Sequence, residues 1–275
     1  MLSRCRPLLG TFVEITVPDG AEIAIAAAFA AVSHVQERMS FHEETSDLAA
    51  MRRAPPGDKV AVSAETVAVL SAALAFYRQS DGLFDITIGS DLVRDGFLPR
   101  PPGSLPGRCR GTSADIEIVD ELHVRCHAPM LIDLGGIAKG YAVDQAVRAL
   151  QAQGVIAGLV NAGGDMRMFG HEEWPIMLRD GDGRMREHLS LANCAIASSA
   201  NLRDRRWRLG RWRTPHIGVN RAPVVARGRT TIVAPDCMTA DAMTKIAMAD
   251  RALAYALLAS LSGQLFSERQ RGAQH

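Results

Sequence analysis

One segment of the chain has residue types that suit the binding of a phosphate group. Two adjacent glycines, Gly135 and Gly136, lie between an apolar stretch ending at Asp133 and a predicted helix with Lys139 in its first turn. Glycines allow close backbone approach and positive φ, and a helix start favours an anion. A lysine in the first turn opposes the helix dipole and needs another reason to be there. A phosphate site and a plain strand-to-helix corner, capped by Asp133, both remain open.

A second group of polar residues lies late in the chain. Asp241, Thr244 and Lys245 follow one another at i, i+3 and i+4 of a predicted helix, so they share one face. They form either an ordinary Asp–Lys helix pair or a carboxylate and an ammonium beside a polyphosphate, with or without Mg²⁺. His216 is a candidate catalytic residue, although an isolated histidine is more often structural.

Two further features bring polar groups into apolar surroundings. Asp85 lies inside the stretch GLFDITIGS, and a buried acid must be partnered or functional. It either holds a loop through backbone N–H groups or belongs to a ligand site. A second glycine cluster, Val160–Asp165, reads first as a turn, with Asn161 and Asp165 as candidates to orient the first cluster or to touch a ligand.

The composition excludes several classes of function. The chain has 275 residues, a net charge of +1 and ordinary proportions of apolar and charged residues, so bulk electrostatics indicate neither nucleic acid nor an anionic membrane. Six arginines between Arg203 and Arg213 surround Trp207 and Trp212, but this segment favours a solvated β-hairpin over a nucleic-acid surface. No apolar run reaches the ~20 residues of a membrane span. Scattered cysteines and no visible export signal favour a reducing, cytoplasmic setting.

Periodicity and turn residues predict an α+β protein with mixed or antiparallel sheets flanked by helices. We expect a single domain over residues 1–275, built as two closely packed lobes, with a candidate hinge at residues 98–111. The predicted elements are strand Thr11–Val17, helix Ala21–Met39, a helix capped by Ser63, a hairpin within Ile116–Cys126, helix Ala138–Gln153, strands Val155–Val160, Asp165–Phe169, Trp174–Leu178 and Ala195–Ser198, a strand near Ile217, strand Thr230–Ala234, and helices Thr239–Ala249 and Arg251–Ser262.

Four motifs in register resemble the FAD:protein FMN transferase (ApbE) family, over nearly the whole chain from Leu9 to about Ala249. The most specific is IDLGGIAKGYAVDQAV at residues 132–147, supported by FDIT at 84–87, VNAGGD at 160–165 and the Ala240-Asp241-Ala242 helix. The resemblance implies that FMN passes from FAD to a Thr or Ser hydroxyl of a partner protein, with release of AMP. It implies an acceptor protein as partner, a monomer or homodimer, and no nucleic acid.

The resemblance also implies roles for individual residues. The main chain of Gly136 and the carboxylate of Asp241 would hold Mg²⁺, while His216 and Lys245 are the candidate catalytic residues. The residues expected to contact FAD are Leu9, Phe41, Leu83, Phe84, Asp85, Asp133, Lys139 and Ile217.

The chain departs from the family pattern at several positions. Leu9 replaces a Met, Phe41 replaces a common Tyr, and the segments 198–201 and 218–222 differ from the usual T-S-G-x-Y and Asp-Pro-x-Thr-Gly runs. The metal helix normally reads D-x-x-x-T, and its Thr position is Lys245. At ~4 Å and an effective dielectric of ~20, an ammonium and Mg²⁺ repel by roughly 8 kcal/mol.

We therefore hypothesise that Lys245 stands in for the metal, pairing with Asp241 or with the pyrophosphate. Two alternatives to transfer stay open. One is an FAD- or FMN-binding protein that has lost transfer activity, and the other is an FAD hydrolase that gives FMN and AMP.

Overall fold

The structure is a computed structural model that describes residues 1–104, 106–180, 183–201, 204–208, 210–226 and 228–267. Leu105 of the candidate hinge, and Arg203 and Leu209 of the arginine-rich segment, lie outside the described residues. The helices are α1 (Glu22–Met39), α2 (Asp47–Arg53), α3 (Ala64–Gln79), α4 (Gly89–Asp95), α5 (Ala138–Ala152), α6 (Cys237–Ala249) and α7 (Arg251–Ser260). The strands are β1 (Leu2–Leu8), β2 (Thr11–Val17), β3 (Lys59–Ala61), β4 (Ile116–Asp120), β5 (His123–Cys126), β6 (Gly158–Ala162), β7 (Asp165–Phe169), β8 (Trp174–Arg179), β9 (Met185–Leu191), β10 (Ala195–Ser199), β11 (Arg206–Arg208), β12 (Arg211–Arg213), β13 (Thr230–Ala234) and β14 (Gln264–Ser267).

A seven-stranded sheet forms the larger lobe, in the order β1-β2-β6-β7-β10-β13-β14. Each neighbouring pair in it is antiparallel. Helix α5 packs between α1 and α6, and α6 lies against β10 and β13. The apolar side chains of α1 recur at helical spacing, so one face of that helix is buried. This arrangement confirms the α+β class with antiparallel sheets and flanking helices.

The smaller lobe contains the three-stranded sheet β3-β5-β4, with α2 and α3 beside it. Ser63 caps α3, since its hydroxyl accepts the N–H of Thr66 at 3.2 Å. The buried Asp47 of α2 accepts from the hydroxyls of both residues and so joins α2 to the start of α3. Leu70 of α3 and Ile15 of β2 belong to one hydrophobic core, so the two lobes are packed closely together.

The structure corrects four local expectations around the glycine clusters. No strand precedes the helix at Ala138, because residues 131–134 run without ladder pairing. Asp133 does not cap α5, whose N-cap is Ile137 and has no side-chain cap. Gly135 and Gly136 lack positive φ, which instead occurs in the β6–β7 turn at Gly163 (64°) and Gly164 (101°). The predicted strand at 155–160 begins three residues later, as β6.

Two other segments differ in how many of their residues form strand pairs. Ile217 forms a single bridge with Pro223, because the chain turns back through Asn220 and Arg221 at positive φ, so the predicted strand there is wrong. The arginine-rich segment does form a hairpin, in which Trp207 of β11 lies opposite Trp212 of β12. Among the described residues, every helix is too short or too polar to cross a membrane.

Candidate active site

A cavity of about 430 Å³ lies where the two lobes meet. Its wall comes from four parts of the chain that are distant in sequence: the segment before and along α4, the turn before α5, the end of β10 with the segment after β12, and α6. Residues that line it include Leu83, Phe84, Asp85, Ile88, Leu92, Phe97, Asp133, Gly135, Gly136, Lys139, Ser199, His216, Ile217 and Lys245. Its volume is within the range of small-molecule sites.

The crossing of α5 and α6 sets the geometry of the cavity floor. A Cβ on Gly140 would lie 2.2 Å from the carbonyl oxygen of Cys237, so the two helices touch where only glycine fits. The carboxylate of Asp144 on α5 accepts the N–H groups of Cys237 at 3.0 Å and of Met238 at 2.9 Å. These bonds satisfy donors at the start of α6 that have no partner within the helix. The lysines on α5 and α6 are therefore brought to one place.

Asp241 is the centre of the charged groups on this floor. Its side chain is fully buried, and its Oδ1 lies 2.5 Å from the Nζ of Lys245. Its Oδ2 accepts the N–H of Gly140 at 3.2 Å and lies 3.8 Å from the Nζ of Lys139. Lys139 also donates to the buried Asp165 of β7. Two ammonium groups and two carboxylates thus form one compact network.

The charges in this network shift one another's pKa values. Burial raises the pKa of Asp241, but the ammonium groups of Lys139 and Lys245 outweigh it and leave the pKa below its ordinary value. Burial lowers the pKa of Lys139, but Asp241 and Asp165 outweigh it, so the pKa lies above the ordinary value. Asp241 is therefore ionised and Lys139 is positive at neutral pH.

Lys245 is held by three acceptors at the edge of the cavity. Besides Asp241, its Nζ donates to the hydroxyl of Ser199 at 2.9 Å and to that of Thr244 at 3.0 Å. Gly136 lies directly beside it, since a Cβ on that glycine would be 3.4 Å from the Lys245 Cγ. The predicted metal and catalytic residues Gly136, Asp241 and Lys245 are thus neighbours.

These residues do not fit a magnesium ion. Mg²⁺ prefers oxygen ligands in a regular octahedron, whereas both oxygens of Asp241 already face N–H groups and Gly136 faces an ammonium-bearing side chain. The described part of the chain also holds no cluster of three acidic, histidine or cysteine side chains suited to a metal.

His216 is the second predicted catalytic residue that lines the cavity. Its ring is largely buried, and its Nδ1 has no hydrogen-bond partner among the described residues. Burial and the nearby charge of Lys245 lower its pKa to about 4, with Lys139 acting in the same sense and Asp241 against it. The imidazole is therefore neutral at pH 7. An unpaired buried polar atom in a residue that lines a cavity is typical of a functional group.

Asp133 brings a carboxylate to the same cavity. Its N–H donates to the carbonyl of Ile86 at 2.8 Å, which fixes the turn against the segment before α4. Burial raises the pKa of its carboxyl, while the N–H of Gly135 and the charges of His42 and Lys245 act in the opposite sense. The carboxylate can accept a hydrogen bond from a ligand N–H or hydroxyl.

Asp85 lines the cavity but also holds the loop on which it lies. Its Oδ1 accepts from the hydroxyl and N–H of Thr87 and from the hydroxyl and N–H of Ser113. Its Oδ2 accepts from the guanidinium of Arg221 at 3.2 Å. The same guanidinium reaches Asp91 at 3.0 Å and the carbonyl of Gly111 at 3.1 Å. The loop-holding interpretation of Asp85 is therefore confirmed.

Sequence reasoning missed Arg221 and Ser199 as residues of the site. Leu9 and Phe41 do not line the cavity: the N–H of Leu9 donates to Gln36 at 2.5 Å, and Phe41 packs beside Arg52. Their predicted contact with FAD stays a prediction. The other predicted site residues meet at the cavity or, for Asp241, directly beneath it.

Comparison with known proteins identifies the fold and the family. Residues 9–265 match the model of the ApbE family. The chain belongs to the ApbE family. The curated relatives include the FAD:protein FMN transferase of Vibrio cholerae, 26% identical over 77% of this chain and 69% of its own length. That of Treponema pallidum is 25% identical over 72% of this chain and 64% of its own length.

Solved structures of the family share the architecture along the whole chain. The ApbE protein of Thermotoga maritima superposes with a TM-score of 0.85 at 26% identity, covering 98% of this chain and 97% of that one. The apo flavinyl transferase ApbE of Pseudomonas stutzeri gives a TM-score of 0.84 at 20% identity, covering 98% and 92%. At that identity the second likeness speaks for the fold alone.

Proposed function

We propose that the protein is an FAD:protein FMN transferase, which moves FMN from FAD to a Thr or Ser hydroxyl of a partner protein and releases AMP. The observation that carries the proposal is the pair of ammonium groups, Lys139 and Lys245, fixed by Asp241 at a cavity that His216 also lines. The relatives named FAD:protein FMN transferase support it.

The diphosphate of FAD suits the charged floor, and the aromatic rings suit the apolar wall. Leu83, Phe84 and Ile217 supply that wall, and the carboxylate of Asp133 accepts from a ring N–H or a ribose hydroxyl. A second cavity of about 280 Å³ shares Leu83 and Ile217 with the first, so the long dinucleotide has room to extend into it. Asp85 and Lys139 also line the cavity, and we propose that both contact FAD. Asp85 would do so while it holds its loop.

The reaction exchanges the phosphoanhydride linkage of the FAD diphosphate for a phosphate ester linkage to the acceptor. The acceptor hydroxyl oxygen bonds to the FMN phosphorus, and the bond from that phosphorus to the bridging oxygen breaks. AMP leaves with the bonding electrons, and the hydroxyl proton passes to the neutral imidazole of His216. The fixed charges of Lys139 and Lys245 stabilise the negative charge that develops on the phosphate oxygens, because such a step depends mainly on positioning and electrostatics.

Incubation of the protein with FAD and a flavin-acceptor domain tests this proposal. We expect a fluorescent flavin band on the acceptor that survives denaturing electrophoresis, together with an equal amount of AMP. Lys139→Met should abolish both, because it removes one charge from the floor, and the surface variant Lys59→Met, whose lysine pairs with Asp120, should keep both. Unattached but bound flavin would instead support the binding protein, and AMP without labelled acceptor would support the hydrolase.

Two further proposals concern the acceptor residue and the setting in which the protein acts. The acceptor hydroxyl belongs to a Thr or Ser, and replacing that residue with Ala in the acceptor should remove the flavin band. We also propose that the protein acts in the cytoplasm as a monomer or homodimer, which cell fractionation and light scattering would test.

A further inference from the structure

The chain uses lysine sparingly, and its few lysines are concentrated at the cavity. Lysine and arginine together number 31, yet lysine occurs only at Lys59, Lys139 and Lys245. The buried carboxylates away from the cavity, such as Asp95 and Asp144, pair with arginines. Two of the three lysines meet at Asp241. A compact ammonium, rather than the planar arginine fork, is thus the cation at this place.

Resting on the proposed function, we propose that the Lys245 ammonium is the resident cation of this site and that the protein binds and cleaves FAD without a divalent metal ion. The chemical balance is that of the transfer described above. Lys245 forms and breaks no bond, and it supplies positive charge beside the phosphate oxygens.

The contacts of Lys245 support this role. An ammonium has three N–H donors, and the Nζ has three protein acceptors: Asp241 at 2.5 Å, Ser199 at 2.9 Å and Thr244 at 3.0 Å. Its position is thus fixed before any ligand arrives, as a metal ion is fixed by its ligands. A charge that is already in place costs no reorganisation when the substrate binds.

The same contacts exclude a metal ion from this position. A divalent ion on Asp241 would have to displace an ammonium from three acceptors or stay close beside it. In the second arrangement the ammonium and the doubly charged ion would repel each other strongly at such short range. Lys139 on the other oxygen of Asp241 adds to this repulsion.

Calorimetric titration of FAD into the protein, in EDTA and then in Mg²⁺, gives the first test. We expect the wild-type affinity to be the same in both buffers. Lys245→Thr replaces the ammonium with a neutral oxygen ligand, so its FAD affinity should fall by about tenfold in EDTA and recover when Mg²⁺ is added. Lys59→Thr is the matched control and should behave as the wild type. Wild-type binding of FAD that requires Mg²⁺ would overturn the proposal.

A second measurement serves if the Lys245→Thr variant does not fold. Selective isotope labelling of lysine gives an NMR spectrum with three side-chain signals, which Lys59→Thr and Lys139→Met help to assign. We expect the Lys245 signal to shift when FAD binds and to stay sharp when Mn²⁺ is added with FAD. Strong broadening of that signal by Mn²⁺ would place a metal at Asp241 and overturn the proposal.

Failure of this inference and failure of the proposed function are distinguishable. A protein that labels its acceptor only with Mg²⁺ is a transferase without a resident cation. A protein that binds FAD equally in EDTA and Mg²⁺ but never labels an acceptor retains the resident cation and loses the transferase assignment.

Discussion

Arg221 offers the sharpest test of how the cavity is held together. Its guanidinium joins the 218–224 segment to the loop that carries Asp85, through bonds to Asp91, Asp85 and Thr87 and to the carbonyl of Gly111. In the sequence these partners are 110 to 136 positions away from Arg221. Arg221→Gln keeps much of the side-chain volume but removes the charge and most of the donors.

The expected loss of stability is smaller than the sum of the bonds. A hydrogen bond to a charged group contributes about 1.5–3 kcal/mol, and Arg221 makes two such contacts with carboxylates. However, Asp85 keeps its bonds from Thr87 and Ser113, and Asp91 keeps Arg94 at 2.8 Å. We therefore expect a loss of about 3 kcal/mol in the free energy of unfolding, or about 5 °C in Tm for a chain of this size.

Urea denaturation and FAD titration measure the two consequences of Arg221→Gln. FAD should bind about tenfold more weakly, an effect of about 1.4 kcal/mol, because the loop with Leu83 and Asp85 loses its anchor. The matched control is Arg94→Gln, which removes the other guanidinium from Asp91 without touching the 218–224 segment. It also removes the bonds to the buried Asp95, so it should cost about 3 kcal/mol as well, but it should leave FAD binding unchanged. Equal effects of the two variants on FAD affinity would refute the reasoning.

Three other predictions follow from single contacts. Gly140→Ala should destabilise by about 3 kcal/mol or more in urea denaturation, because its Cβ would overlap Cys237, while Gly107→Ala, where a Cβ meets nothing within 4 Å, should be neutral. The acid limb of kcat/KM should lie near pH 4 if His216 accepts the proton, and a limb near pH 6.5 would contradict this. Because the folded pKa of His216 lies below the ordinary value, its contribution to stability should be lost as pH falls from about 6.5 to about 4.

The charged floor of the cavity could be predicted because its spacing is local. Asp241 and Lys245 are one helical turn apart, and Lys139 follows its glycine pair directly, so periodicity alone placed each on a helix. The bounds of β2 and β13 were also predicted correctly, and in β2 apolar and polar residues alternate up to the turn at Pro18. A local sequence pattern therefore shows which polar side chains lie on the same face of a helix.

The contacts between distant segments could not be predicted in the same way. Nothing near Arg221 in sequence indicates that it reaches Asp85, because the pairing depends on a turn at positive φ and on how the lobes meet. Ser199 likewise ends a strand, and its contacts with Thr244 and Lys245 of α6 depend on how that helix packs against the sheet. The apolar stretch before Gly135 could have formed a strand-to-helix corner, but its backbone bonds instead to Ile86 and Gly89.

The bond between Gly140 and Asp241 also has a kinetic consequence. These residues are 101 positions apart, and the helices that carry them touch backbone to backbone. Closing so large a loop is slow, since its entropy is lost before the contact forms. Because Asp241 is about 100 residues later in the chain, Lys139 emerges from the ribosome well before this carboxylate. The nucleotide site can exist only after α6 has been synthesised, so a nascent chain cannot take up FAD prematurely.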